Sequence, residues 1–83
     1  MEKTDLLKRE DQVTVTILGP QGESLYQTTG TGYHTIDEAV REVLAQANLE
    51  VNPEDCVFEI NNQTSGVSHS YRLNAHGHLK LIV

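Results

Sequence analysis

Between Gln12 and Leu18 the chain alternates apolar and polar residues, with Val13, Val15 and Ile17 set against Thr14 and Thr16. A period of two is the signature of a strand with one face buried and the other wet. Something apolar must therefore cover one side of a sheet, and the sequence supplies one candidate.

Thr35-Ile36-Asp37-Glu38 fits a capping box, in which the threonine hydroxyl and the glutamate satisfy each other's free backbone donors. Ile36, Ala39, Val40, Val43, Leu44 and Ala47 then recur at three- and four-residue spacing and form a single apolar stripe. Asp37 and Glu38 also suit the positive end of the helix dipole. Asn48 and Pro53 set the stop, so the pattern predicts one helix of about three turns.

The remaining punctuation predicts strands. Gly19-Pro20-Gln21-Gly22 has turn chemistry, and a three-residue loop pairs Gly19 with Glu23 and therefore Ile17 with Leu25. Gly30-Thr31-Gly32 ends the second strand. Val57 to Asn61, Val67 to Leu73 and His78 to Val83 are the next three. Asn74-Ala75-His76-Gly77 reads as a type I turn with a bulge, pairing Leu73 with Leu79, Tyr71 with Leu81 and His69 with Val83. Ser65-Gly66 marks the other turn. An even loop of two residues pairs Ile60 with Tyr71 and Phe58 with Leu73, keeping the apolar side chains on one face.

The expected fold is α+β, a single helix packed on one face of a largely antiparallel sheet of about five strands, in the order β-β-α-β-β-β. The first two strands form one hairpin unit and the last three another, with their junction left open. Residues 1–11 are expected to be a mobile N-terminal segment, and residues 12–83 a single α+β domain. The 83 residues suit one small domain.

Charge narrows the function classes. Twelve Asp and Glu against six Lys and Arg give a formal charge of −6, which argues against direct nucleic-acid binding. It favours a basic protein partner, or mimicry of nucleic acid. One cysteine excludes an intramolecular disulfide framework, and no apolar run has signal-peptide or transmembrane length. A soluble, cytoplasmic protein with no membrane partner is expected.

The wet face is the more informative surface. Thr14, Thr16, Tyr26, Thr28, Glu59, Ser68, Ser70, Arg72, Lys80 and Ile82 are expected on it. Tyr26, Glu59, Arg72 and Lys80 are the candidate partner-binding residues, because aromatic and arginine side chains dominate binding hot spots. Glu59 is expected opposite Arg72, with Lys80 on the other side of Arg72.

A second candidate is the approach to the helix. Gly30, Gly32, Tyr33 and His34 precede a helix N-terminus, where backbone donors favour an anion. The segment lacks the third glycine of a dinucleotide fingerprint and the lysine of a phosphate-binding loop, and Asp37 and Glu38 oppose negative charge. His76-Gly77-His78 has chelate spacing, but the expected register separates His69, His76 and His78, so no metal or cofactor is expected. Cys56 has no base beside it in any recognisable motif. Asn62-Gln63-Thr64 matches the N-glycosylation pattern only by chance in a polar turn. The expected function is a non-enzymatic protein-interaction or regulatory module acting through the open sheet face or an edge strand, with a protein partner or self-association and a possible homodimer. The alternative is a small-ligand, anion or metal-binding domain using Gly30 to His34 and the histidines.

Overall fold

The computed structural model describes residues 7–74 and 76–82. Among the described residues, five strands and one α-helix follow the expected order: β1 (Val13–Leu18), β2 (Ser24–Gly30), α1 (Ile36–Ala47), β3 (Val57–Asn62), β4 (Val67–Leu73) and β5 (Leu79–Leu81). All the pairings are antiparallel, and the sheet order is β2-β1-β3-β4-β5. The junction between the two hairpin units is thus β1 against β3, with Val15 opposite Ile60 and Ile17 opposite Phe58.

The helix starts and stops where its chemistry dictates. Thr35 is extended (φ −137°, ψ 161°), and its hydroxyl accepts the Glu38 backbone N–H at 3.0 Å. Asn48 ends the helix in the left-handed region (φ 51°), which asparagine tolerates better than most residues. Ile36, Ala39, Val40 and Val43 are buried against Val13, Val15, Ile17, Phe58, Ile60 and Tyr71. Leu44 and Ala47 flank that core and are partly buried. Asp37 and Arg41 pair at 2.8 Å one turn apart on the exposed side, which adds a few tenths of a kcal/mol.

Two expected registers are corrected, and a third forms as expected. The loop from Pro20 to Gly22 forms as predicted, with Gly19 N–H donating to the Glu23 carbonyl at 2.7 Å and Gly22 at φ 82°. Beyond it, however, Leu18 lies opposite Ser24 and Ile17 opposite Tyr26, leaving Leu25 as the extra residue of a bulge. The bulge lets both consecutive apolar residues, Leu25 and Tyr26, reach the core, which a regular strand forbids. It also reverses the faces of the rest of β2. Tyr26 and Thr28 turn to the helix side, and Gln27 and Thr29 to the open side.

The β3–β4 loop has four residues rather than two, so Phe58 faces Tyr71 and Ile60 faces His69. Both lengths are even, so the faces stay as expected. Asn62 explains the longer loop. Its Oδ1 accepts the N–H groups of Thr64 and Ser65 at 3.0 Å each, and its carbonyl accepts Gly66 N–H at 2.8 Å. In consequence Glu59 lies opposite Ser70, not Arg72. The β4–β5 turn is as predicted. Tyr71 pairs with Leu81, Arg72 with Lys80 and Leu73 with Leu79, and the Asn74 side chain accepts the N–H groups of His76 and His78. The last strand is shorter than His78 to Val83, and the pairing of His69 with Val83 lies outside the described residues.

The expected mobile segment, 1–11, falls partly outside the described residues. Its remainder is tied down: Leu7 packs on the core and donates to the His34 carbonyl at 2.9 Å, and the Arg9 carbonyl accepts Gly32 N–H. Asp11 is 7% exposed and accepts from Asn62 Nδ2 at 3.0 Å and Lys8 N–H at 3.1 Å. The Asn62 bond, then the Lys8 backbone bond, hold its carboxyl below the usual aspartate range.

Two predictions follow from these contacts. Thr35→Ala removes the cap and lowers unfolding free energy by about 1 kcal/mol in denaturant titrations, with the m-value unchanged. Asp11 has a folded pKa below its unfolded one, so its contribution is present above the unfolded pKa. It is lost as pH falls through the lowered folded value. Acid titration of Asp11→Asn is therefore flatter than wild type across that window.

Candidate functional site

The helix covers one face of the sheet and leaves the other open. On that open face the registers align two polar rows across four strands. Gln27, Thr16, Glu59 and Ser70 form one row; Thr29, Thr14, Asn61 and Ser68 form the next. With Gln63 beyond the end of β3, all of these residues except Thr29 line a concavity of about 340 Å³. The right-handed twist of adjacent strands makes such a face saddle-shaped rather than flat.

Hydrogen bonds hold one wall of the groove in place. Thr14 and Thr29 hydroxyls lie 2.8 Å apart, and Gln63 Nε2 donates to Thr14 Oγ1 at 3.2 Å. Gln27 Nε2 donates to Thr16 Oγ1 at 3.0 Å. Thr14 is only 8% exposed although it lies on the wet side, because these neighbours close over it. The opposite wall, Ser68 and Ser70 with exposed Glu59 and Asn61, has no such network among the described residues. One wall is therefore fixed and the other offers free hydroxyl, amide and carboxylate groups, which suits recognition of a polar ligand.

Of the candidate partner-binding residues, Glu59 lies in the groove, and Arg72 and Lys80 sit directly opposite each other on the same face. Both cations are exposed, and neither is in an ion pair among the described residues. Tyr26 is not with them: the Leu25 bulge places it on the helix side. Gln27 and Thr29 take its place, residues that an unbulged alternation assigns to the helix side. The adjacent apolar pair Leu25-Tyr26 was the available signal, since strict alternation cannot bury both.

The Gly30 to His34 segment is arranged differently. Tyr33 is 8% exposed and part of the core, and a Cβ on Gly30 would lie 2.9 Å from its hydroxyl oxygen. Gly30 is thus a packing glycine. Burial, then the nearby Glu42 and Glu38 carboxylates, push the Tyr33 phenol above its ordinary range. Gly32 (φ 88°) makes the bend that its lack of a side chain permits. His34 is exposed and lies 3.7 Å from Glu38 at the start of α1.

The other histidines stay apart. His69 is half-buried on the helix side, edge-on to Tyr71 with ring centroids 6.4 Å apart, while His76 and His78 are exposed at the β4–β5 turn. Among the described residues no three His, Cys, Asp or Glu side chains are grouped to hold a metal ion. Cys56 is fully buried, its thiol 3.7 Å from the Asn52 carbonyl, and burial followed by Asp55 and Glu23 pushes its pKa up. A protonated, enclosed thiol is a packing group.

In comparisons with protein-family models, curated proteins and solved structures, nothing matches this chain. No helix of the described residues is long and apolar enough to cross a membrane.

The packing role of Gly30 is open to a double-mutant cycle. Gly30→Ala is expected to cost about 1 kcal/mol by overpacking, and measurably less in a Tyr33→Phe background, where the crowded oxygen is gone. Additive costs in thermal melts would refute the contact.

Proposed function

We propose that this chain is a non-enzymatic, cytoplasmic protein-interaction or regulatory module that receives a protein partner on the open face of its sheet. The carrying observation is the groove of about 340 Å³ on the face the helix leaves bare, lined by Thr14, Thr16, Asn61, Ser68 and Ser70 around Glu59. The groove brings together hydroxyl, amide and carboxylate groups that donate and accept hydrogen bonds, so recognition is the chemistry it supports best.

The charged rim gives the partner a character. Arg72 and Lys80 are like charges directly opposite across β4 and β5, an arrangement that costs a few tenths of a kcal/mol in the free protein. A carboxylate from a partner relieves that cost and gains a charge-assisted bond to the guanidinium. Glu59, in the middle of the groove, offers the complementary contact to an amide or ammonium group. The bound surface on this reading is polar and presents an acidic group toward β5. The single, enclosed cysteine suits a reducing compartment.

The test is affinity capture from a lysate of the source cells with immobilised wild type and a Thr16→Arg/Ser70→Arg variant that fills the groove. The expected result is a protein retained by wild type and by Arg41→Glu on the helix, but reduced roughly tenfold or more by the groove variant. Equal retention by the groove variant, with its fold intact by circular dichroism, moves the function off this face.

A further inference from the structure

We infer that β2 is a self-pairing edge through which two copies of this chain join their sheets, antiparallel, about a twofold axis at Thr28. The inference concerns the outward backbone edge of β2, which borders the groove at Gln27, and either reading stands if the other fails.

The hydrogen-bond phase shows which groups are free. Gly19 donates to the Glu23 carbonyl, so odd-numbered residues of β1 bond toward β2. Gln63 donates to the Gln12 carbonyl, so even-numbered residues of β1 bond toward β3. Both contacts give the same phase. Thr28, opposite Val15, and Tyr26, opposite Ile17, spend their backbone groups on β1. Gln27 and Thr29 then point theirs outward, and both residues are exposed.

The two edges of the sheet are not equivalent. β5 has three residues with Lys80 at its centre, which are features that discourage strand addition. β2 has seven, Ser24–Gly30, and contains no charge and no proline. Its one protective device is the bulge at Leu25, which leaves Tyr26 to Gly30 regular. One open edge and one blocked edge give a closed dimer and not a filament.

The strand is complementary to itself. A twofold axis at Thr28 sets Gln27 opposite the second copy's Thr29, so the outward backbone groups of both meet in hydrogen-bonded pairs. Tyr26 falls opposite the second copy's Gly30 on the helix side, next to the Tyr33 hydroxyl that packs over that glycine. No charge on Ser24–Gly30 selects a foreign strand over a second copy. The opposing force is electrostatic: each copy carries −6, and the two helices, with Glu38 and Glu42 beside Tyr33, lie on the same side of the joined sheet. Screening by salt therefore strengthens the pairing.

Sedimentation velocity of the full chain over a concentration series, at low and high salt, tests the pairing. Wild type is expected to shift from 9.2 kDa toward twice that mass, more readily at high salt. Thr28→Lys and Thr28→Glu each weaken association roughly tenfold or more by setting like charges opposite, and an equal mixture of the two restores it. Hydrogen exchange on wild type needs no variant: Gln27 and Thr29 amides slow as concentration rises. A monomer at every concentration and salt, a Thr28→Lys variant that dimerises like wild type, or dimerisation without slower exchange at Gln27 and Thr29 would each overturn the inference.

Discussion

The antiparallel pairing of β1 with β3 is the contact on which the rest of the molecule depends. Each of the two hairpin units is local, built by turns that specify their own geometry, and a lone hairpin is marginally stable in water. Setting Ile17 against Phe58 and Val15 against Ile60 joins them and makes a surface wide enough for Ala39, Val40 and Val43 to bury. The same pairing aligns Thr16 with Glu59 and Thr14 with Asn61 on the opposite face, so one register builds the core and the floor of the groove. The N-terminal stretch is fastened at this junction too, through Asp11 on Asn62 and Gln12 on Thr64 and Gln63.

Much of this was legible in the residues, because the signals involved are local. Thr35 and Asn48 bound the helix by side-chain and backbone chemistry that needs no tertiary context. Asn74 and Gly77 set the last turn, so the pairings of β4 with β5 followed directly. Element order and α+β class followed from the count of periodic segments.

What stayed illegible depended on where one residue is inserted. The bulge at Leu25 is decided by competition between a regular ladder and the burial of two adjacent apolar side chains. Alternation alone assigns Tyr26 to the wet face, and the error propagates to Thr28, Gln27 and Thr29. The β3–β4 loop shows the reverse case: a loop of the wrong length left the faces correct, since parity is all that a half-buried strand specifies. Yet it displaced Glu59 from Arg72, a side-chain pairing for which parity is not enough. Sites on a sheet face are therefore harder to read than its core. The core tolerates a shift of two residues, and a constellation of polar groups does not.

The distribution of charge carries the argument one step further. A formal charge of −6 suggests a basic partner if it is spread evenly, but the fold sorts it. Asp37, Glu38 and Glu42 ride on the helix, and Glu50, Glu54 and Asp55 follow it in the connection to β3. The open face holds Glu59 against Arg72 and Lys80, so the surface with the groove has no acidic excess of its own. Net charge thus governs how two copies repel at long range, while the charged contacts available to a partner on the open face are set by Glu59, Arg72 and Lys80. A partner with an acidic group can approach that face even though the whole molecule is negative, because at physiological ionic strength the helix-side charges are screened beyond about 8 Å.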